Sequence, residues 1–159
     1  MRVIVYQASD TSTLSKNFAR KDFKCPCGCS RQMVDSELVE KLQAIRDKLG
    51  KAIKATSGYR CLSHNAAVGG SSGSKHRYGM AADWRLVDRS INPVALGIIA
   101  TQYFKAVGIY WYDGCAIVHT DRHPPLAVTG VWWIMKSIID PKCYGYMVIT
   151  KMATTTFTQ

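Results

Sequence analysis

The stretch Ser57-Gly-Tyr-Arg-Cys-Leu-Ser-His-Asn-Ala-Ala-Val-Gly-Gly-Ser-Ser-Gly-Ser-Lys-His-Arg-Tyr-Gly-Met-Ala-Ala-Asp83 is answered further along the chain by Val118-His-Thr-Asp121. Together they supply two imidazoles, His76 and His119, and one carboxylate in an apolar setting, Asp83. Three nitrogen and oxygen donors of this kind are what a catalytic zinc uses, with its fourth position left open. His76 and Asp83 do not stand one helical turn apart, and Gly79 interrupts the interval between them. The spacing suits a loop residue and a strand residue that converge on one point. Met80–Val87 reads as a buried strand and Cys115–Asp121 as a later one, so two strands and a loop deliver three ligands to one sheet face. Taken singly, each residue has a plainer reading. His76 beside a Ser-rich loop is a surface or capping residue, Asp83 pairs with an arginine, and His119 is a satisfied core histidine.

Working outward, Asp35 occupies the position of a helix N-cap. Leu38, Leu42, Ile45 and Leu49 follow on one helical face, and Gly50 provides the stop. This predicts a helix over 35–49. Residues 1–6 and 52–56 read as strands, and 24–32, with its Pro and Gly, as a tight loop. Residues 61–75 are rich in Ser, Gly and Asn; a loop wrapped around a site is favoured there over a flexible linker, because the ligand candidates begin at its end. Asn92-Pro93 opens a second helix expected to run to about Lys105. Gly108–Tyr112 and Cys115–Asp121 read as a hairpin joined at Asp113-Gly114, and 128–134 as one more strand. The expected organisation is one main domain over 1–134 and a C-terminal extension over 135–159.

The chain has 159 residues, 47% of them hydrophobic and 20% charged, which is ordinary for one globular domain. Its formal net charge of +10 attracts polyanions, either nucleic acid or an anionic cell-wall polymer. The basic residues are scattered and form no nucleic-acid reading motif, so no specific nucleic-acid partner is expected. No apolar run is long enough to span a membrane. The apolar segment near the start is too short for a secretory signal, so synthesis in the cytoplasm is expected. Without an export signal, the six cysteines are expected to be free thiols. The alternation Cys25, Cys27, Cys29 differs from the paired CxxC knuckles of structural zinc sites. A disulfide or small metal clip joining Cys25–Cys29 with Cys61, Cys115 or Cys143 is the alternative.

The string from Ser57 to Asp83 resembles that of the zinc D-Ala-D-Ala carboxypeptidases and L-alanyl-D-glutamate endopeptidases: SGYR, then HN, GG, SxHxxGxAxD and a later histidine. Leu14–Phe18, Phe23–Cys29, the Leu38–Gly50 helix and Gly108-Ile-Tyr110 are similar to the phage and bacterial branch of that family, so the likeness covers about 14–122. It implies an α+β, hedgehog/DD-peptidase-like fold with a small, mainly antiparallel sheet flanked by helices. It implies Zn2+ on His76, Asp83 and His119, with Arg60 facing the substrate's carboxyl or scissile carbonyl. Many members carry a Glu or Asp three residues before the last histidine, where this chain has Ala116. The branch resembled here has His-x-Asp, matched by His119-Thr-Asp121, and strand neighbours two apart face one side. Asp121 is then the expected base; Asp113, or no efficient base, are the alternatives. His64-Asn65 takes a loop-structuring place, and His123 is expected at the surface.

The implied function is zinc-dependent hydrolysis of peptide bonds in peptidoglycan, in the manner of a phage endolysin or a tail-associated lysin with virion partners. Two other classes compete with it. One is a non-catalytic, zinc-stabilised structural or wall-binding module of a virion, which Ala116 motivates. The other is a basic nucleic-acid binder, whose affinity falls steeply with salt.

Overall fold

Asp35 begins the first helix by accepting the backbone N–H groups of Glu37 at 2.9 Å and Leu38 at 3.4 Å. These would otherwise have no intrahelical partner. Helix α1 runs Ser36–Leu49 and ends at Gly50, whose φ of 61° is left-handed. It buries Leu38, Val39, Leu42 and Ile45; each contributes roughly 1.5–3 kcal/mol by leaving water. The computed structural model describes residues 2–112, 115–122 and 131–136.

Strands β1 (Val3–Gln7) and β2 (Arg31–Asp35) form an antiparallel pair. Among the described residues the main sheet has five strands: β3 (Ile53–Ser57), β4 (Ala81–Leu86), β5 (Ala106–Tyr112), β6 (Cys115–Asp121) and β7 (Val131–Lys136). Their spatial order is β3-β4-β6-β5-β7, antiparallel except for the parallel β5–β7 pair. Two further helices, α2 (Leu62–Ala67) and α3 (Pro93–Thr101), complete an α+β architecture with a mainly antiparallel sheet.

Side chains alternate across the sheet, and the two faces do different work. Ala82, Trp84, Leu86, Val107 and Val118 join Leu38, Leu42 and Ile45 of α1 in the core. There the indole N–H of Trp84 donates to Thr120 Oγ1 at 3.2 Å. Asp83, His119 and Asp121 lie on the opposite face. The pairing puts Ser57, Asp83, His119 and Gly108 in one row across four strands.

Three details differ from the sequence-based expectation. Residues 31–32, read as the end of a loop, open β2 instead, because β1 supplies the hydrogen-bonding edge that local sequence does not show. Residues 62–67 form α2 inside the stretch read as loop, with Asn65 buried at 2% exposure. Its side-chain amide donates to the carbonyls of Gly70 at 2.9 Å and Ser71 at 3.0 Å, so the Gly/Ser tract is folded back and held. Helix α3 ends at Thr101, short of Lys105, as the chain turns to bury Phe104. Residues 113–114, the expected hairpin turn, and His123, Cys143 and 137–159 lie outside the described residues.

Two glycines let the site segment lie flat on its support. A Cβ on Gly58 would stand 2.5 Å from the Phe23 backbone, and one on Gly79 would stand 2.7 Å from Met33. Backbone bonds use this closeness: Tyr59 N–H donates to Phe23 O at 2.7 Å, and Asp35 N–H to Gly79 O at 2.8 Å.

Candidate metal centre

β3 loses its regular register between Ala55 and Ser57. β3 ends at Ser57, and just beyond it the Gly58 carbonyl meets His76 and the Arg60 side chain meets Asp83. The 3-10 turn Lys75–Tyr78 then brings His76 over the same spot and stops at Gly79, whose φ is 67°. His76 is 3% exposed and His119 6%.

His76 Nε2 is 3.3 Å from His119 Nδ1 and 3.4 Å from Asp83 Oδ1. His119 Nδ1 is 2.8 Å from Asp83 Oδ1. A tetrahedral ion with nitrogen and oxygen ligands at about 2.05 Å needs donor atoms about 3.3 Å apart. Two of the three separations match that value, and the third is shorter by an amount a slight opening corrects.

The outer atoms of the ligands are also held. The Gly58 carbonyl lies 2.6 Å from His76 Nδ1 and must accept its proton, which leaves Nε2 with a lone pair facing the centre. Asp121 Oδ2 lies 3.4 Å from His119 Nε2 and does the same for His119 Nδ1. Arg60 donates to Asp83 Oδ2 at 2.6 Å and is itself steadied by Nε–H to Ser57 Oγ at 2.9 Å. Metal-ligating histidines and carboxylates characteristically carry such partners.

With neutral imidazoles, two carboxylates and one guanidinium leave this buried cluster one negative charge, which favours a cation. In the metal-free chain a proton takes that place. Burial alone would lower the pKa of His119, but the hydrogen bonds its ring donates to Asp121 and Asp83 outweigh it and raise it to about 9. Burial would likewise raise the pKa of Asp83, yet His119 and His76 hold its carboxyl well below the usual range. The donor set therefore fits a divalent ion: two imidazoles of fixed tautomer and one ionised carboxylate meet at metal-ligand spacing.

The structure thus brings together His76, Asp83, His119, Arg60 and Asp121, and it places Arg60 on a ligand rather than facing open solvent alone. Asp113 lies outside the described residues. The Gly58 carbonyl and Ser57 hydroxyl were assigned no role from sequence. A backbone carbonyl leaves no signal in residue identity, and Ser57 is legible only as part of Ser-Gly-Tyr-Arg. Cys25, Cys27, Cys29 and Cys61 carry no disulfide, and they come together as the clip alternative grouped them, with Cys61 as the distant member.

Two imidazoles and a carboxylate on one sheet face, with an arginine beside them, define the class of a mononuclear metal-binding site. The sequence model of the family described as Peptidase M15 matches residues 16–121, and the chain belongs to that family. It is also 34% identical, over 89 residues, to the zinc D-Ala-D-Ala carboxypeptidase of Streptomyces albus G. That match covers 50% of this chain and 35% of the relative, so the chain spans about a third of that protein's length.

Proposed function

We propose that this protein is a zinc metallopeptidase that hydrolyses peptide bonds in bacterial peptidoglycan. The observation that carries the reading is the convergence of His76 Nε2, Asp83 Oδ1 and His119 Nδ1, each fixed from behind by a separate partner. Membership of a peptidase family and the name of the Streptomyces relative support the substrate class.

His76, Asp83 and His119 would hold the zinc, which when bound supplies Lewis acidity and a water acidic enough to react near neutral pH. Gly58 and Asp121 keep both imidazoles in the metal-binding tautomer. Arg60 spends two of its five N–H donors on Ser57 and Asp83. The others remain for the oxygen of a scissile carbonyl or a terminal carboxylate. As negative charge develops on that oxygen, a donor fixed in advance stabilises it more than water can. Asp121, the expected base, accepts from the outer nitrogen of His119, which places it behind a ligand and away from the metal's open position, so its role here is to orient His119 and raise its basicity. The net charge of +10 favours adhesion to an anionic wall.

Within this activity we assign the chain to the D-Ala-D-Ala carboxypeptidase or L-alanyl-D-glutamate endopeptidase type. A lytic role in a phage endolysin or a tail part is the natural setting. Among the described residues no helix is long and apolar enough to cross a membrane.

Purified cell walls test this. The wild-type chain is expected to reduce their turbidity and to release new peptide termini visible by mass spectrometry of muropeptides. EDTA or His76→Ala is expected to abolish both. A chain that binds zinc at this site and cuts no wall peptide is a structural or wall-binding module, and the enzyme reading then fails.

A further inference from the structure

Away from the His/Asp/His centre, four sulfurs from two distant segments meet. Cys25, Cys27 and Cys29 come from the loop before β2, and Cys61 from the residue that caps α2. Their Sγ atoms all lie within 4.8 Å of one another. Cys27 Sγ is 3.3 Å from Cys25 Sγ and 3.3 Å from Cys61 Sγ. A disulfide needs about 2.05 Å and joins only two sulfurs. A tetrahedral zinc with sulfur ligands at about 2.3 Å places them about 3.8 Å apart. The cluster is much nearer the second geometry, and no S–S bond joins these four cysteines.

N–H groups face three of the sulfurs, although burial pushes the Cys25 and Cys29 thiols up in the metal-free chain. Cys61 N–H donates to Cys25 Sγ at 3.5 Å, and His64 N–H to Cys61 Sγ at 3.5 Å. The Gln32 side-chain amide lies 3.5 Å from Cys29 Sγ, and its oxygen accepts Cys25 N–H at 2.6 Å. Gln32 is fully buried. Three of the four sulfurs thus receive an N–H donor, as sulfurs bearing negative charge require.

We propose that Cys25, Cys27, Cys29 and Cys61 bind a second zinc ion, structural rather than catalytic. All four positions are taken by protein sulfur, so no open site remains for water or substrate. The ion would clip the loop before β2 onto the start of α2, one residue from Arg60. It would then hold in place the segment that carries Arg60 to Asp83 and the Gly58 carbonyl to His76. This site stands apart from the proposed peptidase activity and does not depend on it.

The test is zinc content of the full-length chain, purified under reducing conditions and measured by inductively coupled plasma mass spectrometry. Two ions per chain are expected for wild type. One is expected for the Cys27→Ser, Cys61→Ser variant and one for His76→Ala. The cysteine variant should also melt several degrees lower. Should the cysteine variant fail to fold, His76→Ala loaded with Co(II) still decides. Thiolate ligation gives a near-ultraviolet charge-transfer band, which imidazole and carboxylate ligands do not. One zinc per chain, lost with His76→Ala and kept in the cysteine variant, overturns this inference and leaves the peptidase reading standing. So does absence of the charge-transfer band, or a Cys27–Cys61 disulfide found in the freshly purified chain. The reverse result, one zinc lost only with the cysteines, supports the clip and sinks the peptidase centre.

Discussion

Removing the metal from the His76–Asp83–His119 centre should make the chain's stability depend on pH in a direction the structure fixes. In the metal-free site His119 lies between Asp83 and Asp121, and its pKa rises from 6.5 to about 9. A group whose folded pKa is raised stabilises the fold fully below its unfolded pKa. That contribution is lost as pH climbs through the folded value. The window is therefore roughly pH 6.5 to 9. The ceiling is about 3 kcal/mol, since each pH unit between the two values is worth about 1.4 kcal/mol. The assay is urea unfolding in the presence of a chelator at pH 6 and pH 9.5, on wild type and on His119→Gln. The cysteines and other groups titrate in both chains, so the difference between them isolates His119. Wild type should lose up to about 3 kcal/mol more than the variant over this interval. Zinc requires the neutral ring, so loading the site should remove the effect, and affinity should rise about tenfold per pH unit below 9. A wild-type minus variant difference that stays flat, or a ring titrating near 6.5 by NMR, would show that the two carboxylates do not grip His119 as described.

Three other substitutions probe the remaining parts. Asp121→Asn can still accept from His119 Nε2 but loses its charge, so zinc affinity should fall about 10- to 100-fold with kcat per bound zinc little changed; a fall in kcat of about 10²-fold or more with zinc retained would make Asp121 the base after all. Arg60→Ala strips Asp83 of its partner and the substrate of a donor, and kcat/KM per bound zinc should drop roughly 10²- to 10³-fold. An unchanged rate in zinc-saturated enzyme would reduce Arg60 to a structural ion pair. Gly58→Ala drives a methyl to 2.5 Å from the Phe23 backbone, and urea unfolding should register a loss of roughly 2 kcal/mol or more, with a value near zero contradicting the close approach.

Helix α1 was legible because its signals are local: Asp35 caps it, Leu38, Leu42 and Ile45 share one face, and Gly50 closes it. β4 and β6 were legible as β-rich runs carrying Asp83 and His119. β2 and α2 were not. β2 exists through its edge partner β1, and α2 lies in a Ser- and Asn-rich stretch whose hold on Gly70 and Ser71 depends on burial of Asn65.

The sequence offered His76, Asp83 and His119 as candidate donors, because a metal site requires particular side-chain types; its resemblance to a peptidase family chose them over their plainer readings and added Arg60 and Asp121. Tertiary structure decided what each atom faces. Only the pairing of β4 with β6 sets Asp83 beside His119, and only the bulge after Ala55 turns the Gly58 carbonyl toward His76. The same holds for the sulfurs, where a residue 34 positions away completes a cluster that three alternating cysteines merely begin. Donor identity is written in one dimension. The distances of a few ångströms that turn donors into a binding site arise when separate strands and loops pack against a common core.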